Sequence, residues 1–204
     1  MSKVTISKYS IPAGRLQRAS SSKEFHISKF RQVLLRHGMT MGFIAFISLL
    51  VPVVLIALIS ALENLFLNTN RYLIWSMCVS IFFIFYLRFT KRELNYRQLS
   101  WIVYLVMISV VEEIGFRLSL PLLFSKIFIV ESSLLIGIFL SNFLFAAIHF
   151  FTLRWKLKAC VFTFLGGIGL SRLFYETGDF ALVVLIHLVV TFVNTPSAPK
   201  GVNA

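Results

Sequence analysis

The sequence predicts an all-α integral membrane protein, a bundle of about six transmembrane helices with both termini in the cytoplasm. Two observations predict this class. The 204 residues are 58% hydrophobic and only 14% charged, which leaves more apolar surface than a soluble domain of this size can bury. The apolar residues also form long runs, and most basic residues lie in the segments before and between these runs, as in membrane proteins.

Six apolar runs supply the predicted helices, and several approach the ~20 residues that cross ~30 Å of hydrocarbon. Pro52 lies inside the first run, where we expect it to bend the helix, as helices in membranes tolerate. Two pairs of small residues have the four-residue spacing that permits close contact between helices. They are Gly137 with Ser141 and Gly167 with Ser171. The runs lie at 39–62, 71–88, 100–124, 127–152, 158–175 and 180–196.

The basic residues predict which side of the membrane each connection occupies. With residues 1–37 in the cytoplasm, 16 of the 20 Lys and Arg residues lie on the cytoplasmic side, as the positive-inside rule requires. The net charge of +12 therefore reflects topology and contact with anionic lipid headgroups, and we expect no nucleic-acid partner. His26 and His37 fall in this basic segment, and we expect both to be solvated.

This interpretation divides the chain into three parts. Residues 1–37 are a basic cytoplasmic tail, whose second half has the apolar spacing of an amphipathic helix lying on the membrane surface. Residues 38–196 form the transmembrane domain, and its polar motifs lie within 100–196. Residues 197–204 form a short cytoplasmic tail.

Three charged residues, Glu112, Glu113 and Arg117, lie near the middle of the third apolar run. Charge is costly in hydrocarbon, so ionisable residues at this depth indicate a functional site. Glu113 and Arg117 are four residues apart and share a helix face, which predicts an ion pair. Glu112 points about 100° away and has no partner in its own helix. The spacing therefore predicts one structural pair and one separate carboxylate, which is free to act or must find a partner elsewhere.

Two histidines also lie inside the predicted helices, His149 in the fourth and His187 in the sixth. At about 1.5 Å per residue, both lie at depths compatible with a common site around Glu112. His187 shares a stripe of its helix with Thr191 and Asn194. Such a set can hydrolyse a peptide bond, with Glu112 and His149 activating a water molecule. His187 with Asn194 or Thr191 can stabilise the oxyanion that develops on the carbonyl.

The residue types alone leave three functions open: catalysis, passage of an ion or proton-coupled substrate, and a structural role in helix packing. Transport is the weaker hypothesis, because the sequence has no matched pair of broken helices in two halves. Glu112, His149 and His187 also have the composition of a catalytic zinc site. An HExxH helix is absent from the sequence, so we favour no cofactor and keep zinc as the alternative.

Three segments in order form a more specific pattern: EEIGFR at 112–117, FAAIH at 145–149, and His187 after the turn ETGD. The pattern EExxxR, FxxxH and a later His resembles the CPBP family of intramembrane proteases. That family includes the type II CAAX prenyl endopeptidases and bacterial proteins linked to bacteriocin processing or immunity. The resemblance covers about 100–196 and implies an intramembrane endopeptidase.

The resemblance also implies a role for each matching residue. Glu112 would be the catalytic base, His149 would help to activate the water, and His187 would help to form the oxyanion hole. Supporting roles would fall to Glu113, Arg117 and Phe145, with Phe145 shaping the wall of the site.

The sequence departs from the last family motif, which is commonly HxxxN or HxxxD. Thr191 stands four residues after His187, and the nearest Asn is Asn194. Which of the two serves the oxyanion hole stays open, and so does a non-catalytic immunity or regulatory protein of the same fold.

The expected partner is a membrane-embedded or membrane-associated peptide or protein tail. The short chain and simple topology favour a bacterial plasma membrane over a eukaryotic one. There the substrate can be a bacteriocin precursor, a signalling peptide or a sorting tail.

Overall fold

A computed structural model describes residues 30–128 and 130–198, which form seven helices and no strand. The helices are α1 (Phe30–Leu49), α2 (Pro52–Leu67), α3 (Thr69–Phe89), α4 (Tyr96–Ile127), α5 (Ser133–Thr152), α6 (Leu157–Thr177) and α7 (Phe180–Asn194). Five of them, α1, α3, α4, α5 and α6, are long and apolar enough to cross a membrane. The predicted all-α membrane fold is confirmed, whereas the six-span count and the cytoplasmic termini stay predictions.

Several predictions concern residues outside the described part of the chain. These include the solvation of His26, most of the basic tail and the end of the short tail at 197–204. The three-part division of the chain also stays a prediction.

The single apolar run predicted at 39–62 is wrong, because it contains the end of α1 and most of α2. Pro52 does not bend a continuous helix but occupies the first turn of α2, a position that proline favours. Val51 before it is extended, with φ −86° and ψ 118°, because a residue preceding proline disfavours the helical region. The first helix, α1, ends before this break. It is 20 residues long and begins at Phe30, so it includes residues that the sequence interpretation assigned to the tail.

The long helix α4 lies at the centre of the bundle and packs against α1, α5 and α7. A π-helical turn at Ile114–Ser119 interrupts α4 directly after Glu113, and such turns often occur at functional sites. Most of the fully buried polar side chains of the described residues lie on α4 or on helices that contact it. Many large apolar side chains on the other helices face outward, as lipid contact requires.

The predicted close contacts at small residues are confirmed. A Cβ atom on Gly137 of α5 would lie only 2.5 Å from the carbonyl oxygen of Pro121 in α4. One turn later, the Ser141 hydroxyl donates a hydrogen bond of 2.6 Å to the Phe116 carbonyl of α4. That bond satisfies a buried carbonyl next to the π-helical turn, so α5 holds the irregular part of α4 in place.

The second pair of small residues joins α5 to α6. A Cβ atom on Gly167 would collide with Oδ1 of Asn142, so a larger residue at this position would force that side chain to move. The Asn142 amide donates to the Ser171 hydroxyl over 2.9 Å and to the Ile138 carbonyl over 2.8 Å. A buried amide therefore links α5 to α6.

Both ends of α7 are fixed by polar contacts to other helices. At its start, Asp179 accepts hydrogen bonds from the Leu182 backbone (3.0 Å), from Tyr72 (2.7 Å) and from Arg71 (3.0 Å). After its end, the Trp101 indole of α4 donates to the Thr195 carbonyl over 2.7 Å. These contacts fix the start of α7 against α3 and its end against α4.

We expect Gly137→Ala to destabilise the fold by about 1–3 kcal/mol, because the added methyl group meets backbone atoms of α4 that cannot rotate away. Gly42→Ala is the matched control, because nothing lies within 4 Å of a Cβ atom at that helical position. Thermal unfolding in detergent measures both variants. Equal melting temperatures for the two variants would show that α4 and α5 are not in close contact there.

Candidate active site

The carboxylate of Glu112 is 2% exposed and faces three imidazoles from three other helices. His37 Nε2 of α1 lies 2.7 Å from Glu112 Oε1, and His149 Nε2 of α5 lies 3.8 Å from the same oxygen. His187 Nε2 of α7 lies 3.4 Å from Glu112 Oε2. The structure therefore brings together Glu112, His149 and His187, as the sequence predicted, and adds His37.

The other ring nitrogens of His149 and His187 are held by groups that accept hydrogen bonds. His149 Nδ1 lies 2.8 Å from the Phe145 carbonyl, and His187 Nδ1 lies 2.6 Å from Glu113 Oε1. A carbonyl or a carboxylate accepts, so each Nδ1 carries a proton and donates it. Each Nε2 is thereby directed at Glu112 and is available for chemistry.

Glu113 and Arg117 form the predicted pair, with Arg117 Nε 3.4 Å from Glu113 Oε2 and both side chains at most 1% exposed. The role of Glu113 extends beyond that pair, because its other oxygen holds His187. The Arg117 guanidinium also lies over the Phe145 ring, with its Cζ 4.4 Å from the ring centroid. Glu113 thus connects Arg117 to His187, a link that the sequence did not indicate.

Phe145 forms part of the site wall, as predicted. Its ring centroid lies 4.5 Å from that of His149 and 6.1 Å from that of His187, and both pairs meet edge to face. The aromatic ring therefore packs against both imidazoles and limits their rotation.

The expectation that His37 is solvated is wrong, because the residue is 4% exposed. Val33, His37 and Met41 of α1 are all buried, at a spacing of four residues, so they share the inner face of that helix. Two signals in the sequence could have located His37. Counting ~20 residues back from the break before Pro52 starts a membrane helix near residue 30, and the four-residue spacing then turns His37 inward.

The site opens into a cavity of about 660 Å³, within the usual range for ligand pockets. Thr191 and Asn194, the two candidates for the oxyanion hole, both line this cavity. Thr191 is half-buried and Asn194 is exposed. Gly166, Gly167 and Gly169 of α6 form another part of the lining, where the lack of side chains widens the space.

Residues 95–193 match the family model described as Type II CAAX prenyl endopeptidase Rce1-like. The matched segment spans slightly less than half of the chain. The resemblance drawn from the sequence motifs is confirmed, and the family is one of peptidases. No curated protein and no solved structure matches the chain.

The Rce1-like segment contains Glu112, Glu113, His149 and His187 but excludes α1. His37 therefore enters the site from a part of the chain that the family model does not cover. An additional helix next to the family segment supplies the shortest contact that the Glu112 carboxylate makes.

His37, Glu112 and His149 form a group whose potential metal ligand atoms lie within 4.8 Å of one another. Metal-binding histidines usually donate their second N–H to an acceptor, and both histidines of this group do so. In a tetrahedral zinc site with bonds of ~2.0–2.1 Å, two neighbouring ligand atoms lie about 3.3 Å apart. The 3.8 Å between His149 and Glu112 is near that value, whereas the 2.7 Å between His37 and Glu112 is a hydrogen-bond length. His37, Glu112 and His149 therefore fit a zinc ion if bonds to the metal replace the hydrogen bond between His37 and Glu112.

We expect Arg117→Ala to destabilise the protein by about 3–5 kcal/mol, because it removes the cationic partner of a fully buried carboxylate. Arg172→Ala is the matched control, because Arg172 and Glu176 form a pair of the same spacing with exposed side chains. The control should unfold like the wild type. Unfolding of both variants in the same detergent tests this, and a loss in Arg172→Ala as large as that in Arg117→Ala contradicts it.

Proposed function

We propose that the protein is an intramembrane endopeptidase that cleaves a membrane-associated peptide or protein tail with a glutamate-activated water molecule. One observation carries the proposal: the buried carboxylate of Glu112 faces the Nε2 atoms of His149 and His187 at the inner end of a cavity. The match of residues 95–193 to the model of a peptidase family supports the reaction type.

In the proposed reaction, a water molecule lies between Glu112 and His149. The 3.8 Å between Oε1 of Glu112 and Nε2 of His149 is too long for a direct hydrogen bond, so Nε2 of His149 can bind a water molecule that contacts the other oxygen of Glu112, Oε2. Glu112 accepts one water proton while the water oxygen attacks the carbonyl carbon of the peptide. When the C–N bond breaks, Glu112 returns that proton to the leaving nitrogen, so the enzyme ends in its starting state.

The oxyanion formed in the first step needs a donor, and His187 fits that role when both of its nitrogens carry protons. Its Nδ1 lies 2.6 Å from the Glu113 carboxylate, which stabilises the resulting imidazolium. Arg117 in turn neutralises the charge of Glu113 on its other side. The EExxxR motif thus contributes the base through its first Glu and supports the oxyanion donor through its second.

Thr191 and Asn194 are proposed as additional oxyanion donors, because both line the cavity that His187 faces. Thr191 stands at the position of the Asn or Asp in the family motif, four residues after His187. Asn194 lies nearly one further turn along α7, close to its end. A hydroxyl at the first position and an amide at the second preserve the donor capacity of the motif.

For the substrate, we propose an apolar peptide segment in a bacterial plasma membrane, because the cavity is lined mainly by apolar and aromatic side chains. The family description names prenylated CAAX tails, and a farnesylated CAAX peptide is therefore one suitable assay probe. A second assay compares the peptides of cells that express the wild type with those of cells that express a variant. This assay needs no prior choice of substrate.

We expect Glu112→Gln to lower cleavage by at least about 100-fold, because an amide cannot accept the water proton. Glu131→Gln is the control, because Glu131 is exposed in the connection between α4 and α5. Glu131→Gln should melt like the wild type, and Glu112→Gln should keep the helix content of the wild type. Unchanged peptide profiles in Glu112→Gln would favour a non-catalytic membrane protein of the same fold.

The proposed mechanism uses no metal, so we expect cleavage by the purified protein to survive prolonged treatment with EDTA or phenanthroline. Metal analysis of the same preparation measures bound zinc directly. Loss of cleavage on chelation, followed by recovery on addition of zinc, would contradict the metal-free mechanism and support His37, Glu112 and His149 as ligands.

A further inference from the structure

We propose that His37 of α1 is a positioning residue of the hydrolytic site, and this inference rests on the proposed function. His37 forms a hydrogen bond with Oε1 of Glu112. The other carboxylate oxygen, Oε2, is therefore the one that takes the proton from water. The matched family segment does not contain α1, so this contact adds a residue to the site that the motifs do not include.

Both ring nitrogens of His37 are engaged. Nδ1 lies 2.9 Å from the hydroxyl oxygen of Thr152, and that hydroxyl donates its own proton to the Ile148 carbonyl over 2.7 Å. The Thr152 oxygen therefore accepts from His37, and Nδ1 is the donor. Nε2 then lies 2.7 Å from Glu112 Oε1, within the range of a strong hydrogen bond.

The ring of His37 is also fixed by its surroundings. It packs edge to face against His149, with 4.7 Å between the ring centroids, and it lines the central cavity. A π-helical turn at Leu34–Gly38 holds the residue, so a local irregularity of α1 coincides with the contact to Glu112. Packing on one side and a hydrogen bond on the other leave the imidazole one orientation.

This arrangement has a chemical consequence for the two carboxylate oxygens of Glu112. Two lone pairs cannot approach to 2.7 Å, so one proton lies between His37 Nε2 and Glu112 Oε1, and with this proton on Nε2 the carboxylate stays ionised and able to act as the base. The hydrogen bond stops the carboxylate from rotating and directs Oε2 toward His187, 3.4 Å away. A base held in one orientation beside the oxyanion donor gains the advantage of proximity, and small misplacements of such groups cost about 100-fold in rate.

The test measures kcat and KM on the farnesylated CAAX peptide for His37→Ala, with and without added imidazole. We expect kcat to fall by about 100-fold while KM stays near the wild-type value, because the substrate still binds but the base is misplaced. Imidazole that enters the space left by the side chain should restore part of kcat. A wild-type kcat in His37→Ala, or a loss that imidazole does not restore, overturns the positioning role.

Thr152→Val supplies a second variant that leaves His37 in place and removes the acceptor for its Nδ1 proton. Thr40→Val is the matched control, because both hydroxyls donate to the carbonyl four residues earlier but only Thr152 also contacts His37. We expect kcat to fall several-fold in Thr152→Val and to stay unchanged in Thr40→Val. Equal effects in the two variants would overturn the role of the Thr152–His37 contact.

A measurement without substrate separates this inference from the proposed function. Melting temperatures of His37→Ala, Glu112→Gln and the double variant show whether the two side chains interact. We expect the shift of the double variant to be smaller than the sum of the single shifts, and additive shifts overturn the contact. A wild-type protein that cleaves no peptide overturns the proposed function and the positioning role, whereas the coupling of melting temperatures then stands as a structural contact.

Discussion

The rest of the structure depends on how one carboxylate, Glu112, is kept inside a membrane bundle. A charge in hydrocarbon is tolerated only with polar partners, and α4 supplies none to this side chain. Its partners come from α1, α5 and α7, so these helices must meet at one height. The close approach of α5 at Gly137 and the polar contacts at both ends of α7 provide this alignment.

The adjacent residue, Glu113, shows how the same stretch of helix supports two functions. Its carboxylate contacts Arg117 through one oxygen and His187 through the other. Replacing either partner therefore changes the other interaction, which makes stability and site geometry interdependent. The π-helical turn that begins at Ile114 lies directly beside this pair, where the Ser141 hydroxyl of α5 compensates for the irregular backbone.

The sequence predicted the membrane class, most of the helices and the meeting of Glu112, His149 and His187, because periodicity and charge in apolar runs are strong signals. It missed His37 because the basic residues around it suggested a solvated tail. The division at Pro52 was likewise interpreted as a bend, since an apolar run shows no gap where one helix ends and another begins at a proline. The bond between Glu113 and His187 spans 74 positions of the chain, and single-sequence spacing carries no information about contacts at that separation.

The order of the helices along the chain has a consequence for biosynthesis. His37 is translated before Glu112, and His187 lies on α7, the final helix of the described residues. Under the proposed mechanism, the nascent protein therefore holds the base without its oxyanion donor until α7 has been translated and packs against α4. On that proposal, a peptidase assembled in this order gains its complete site only when its last described helix joins the bundle.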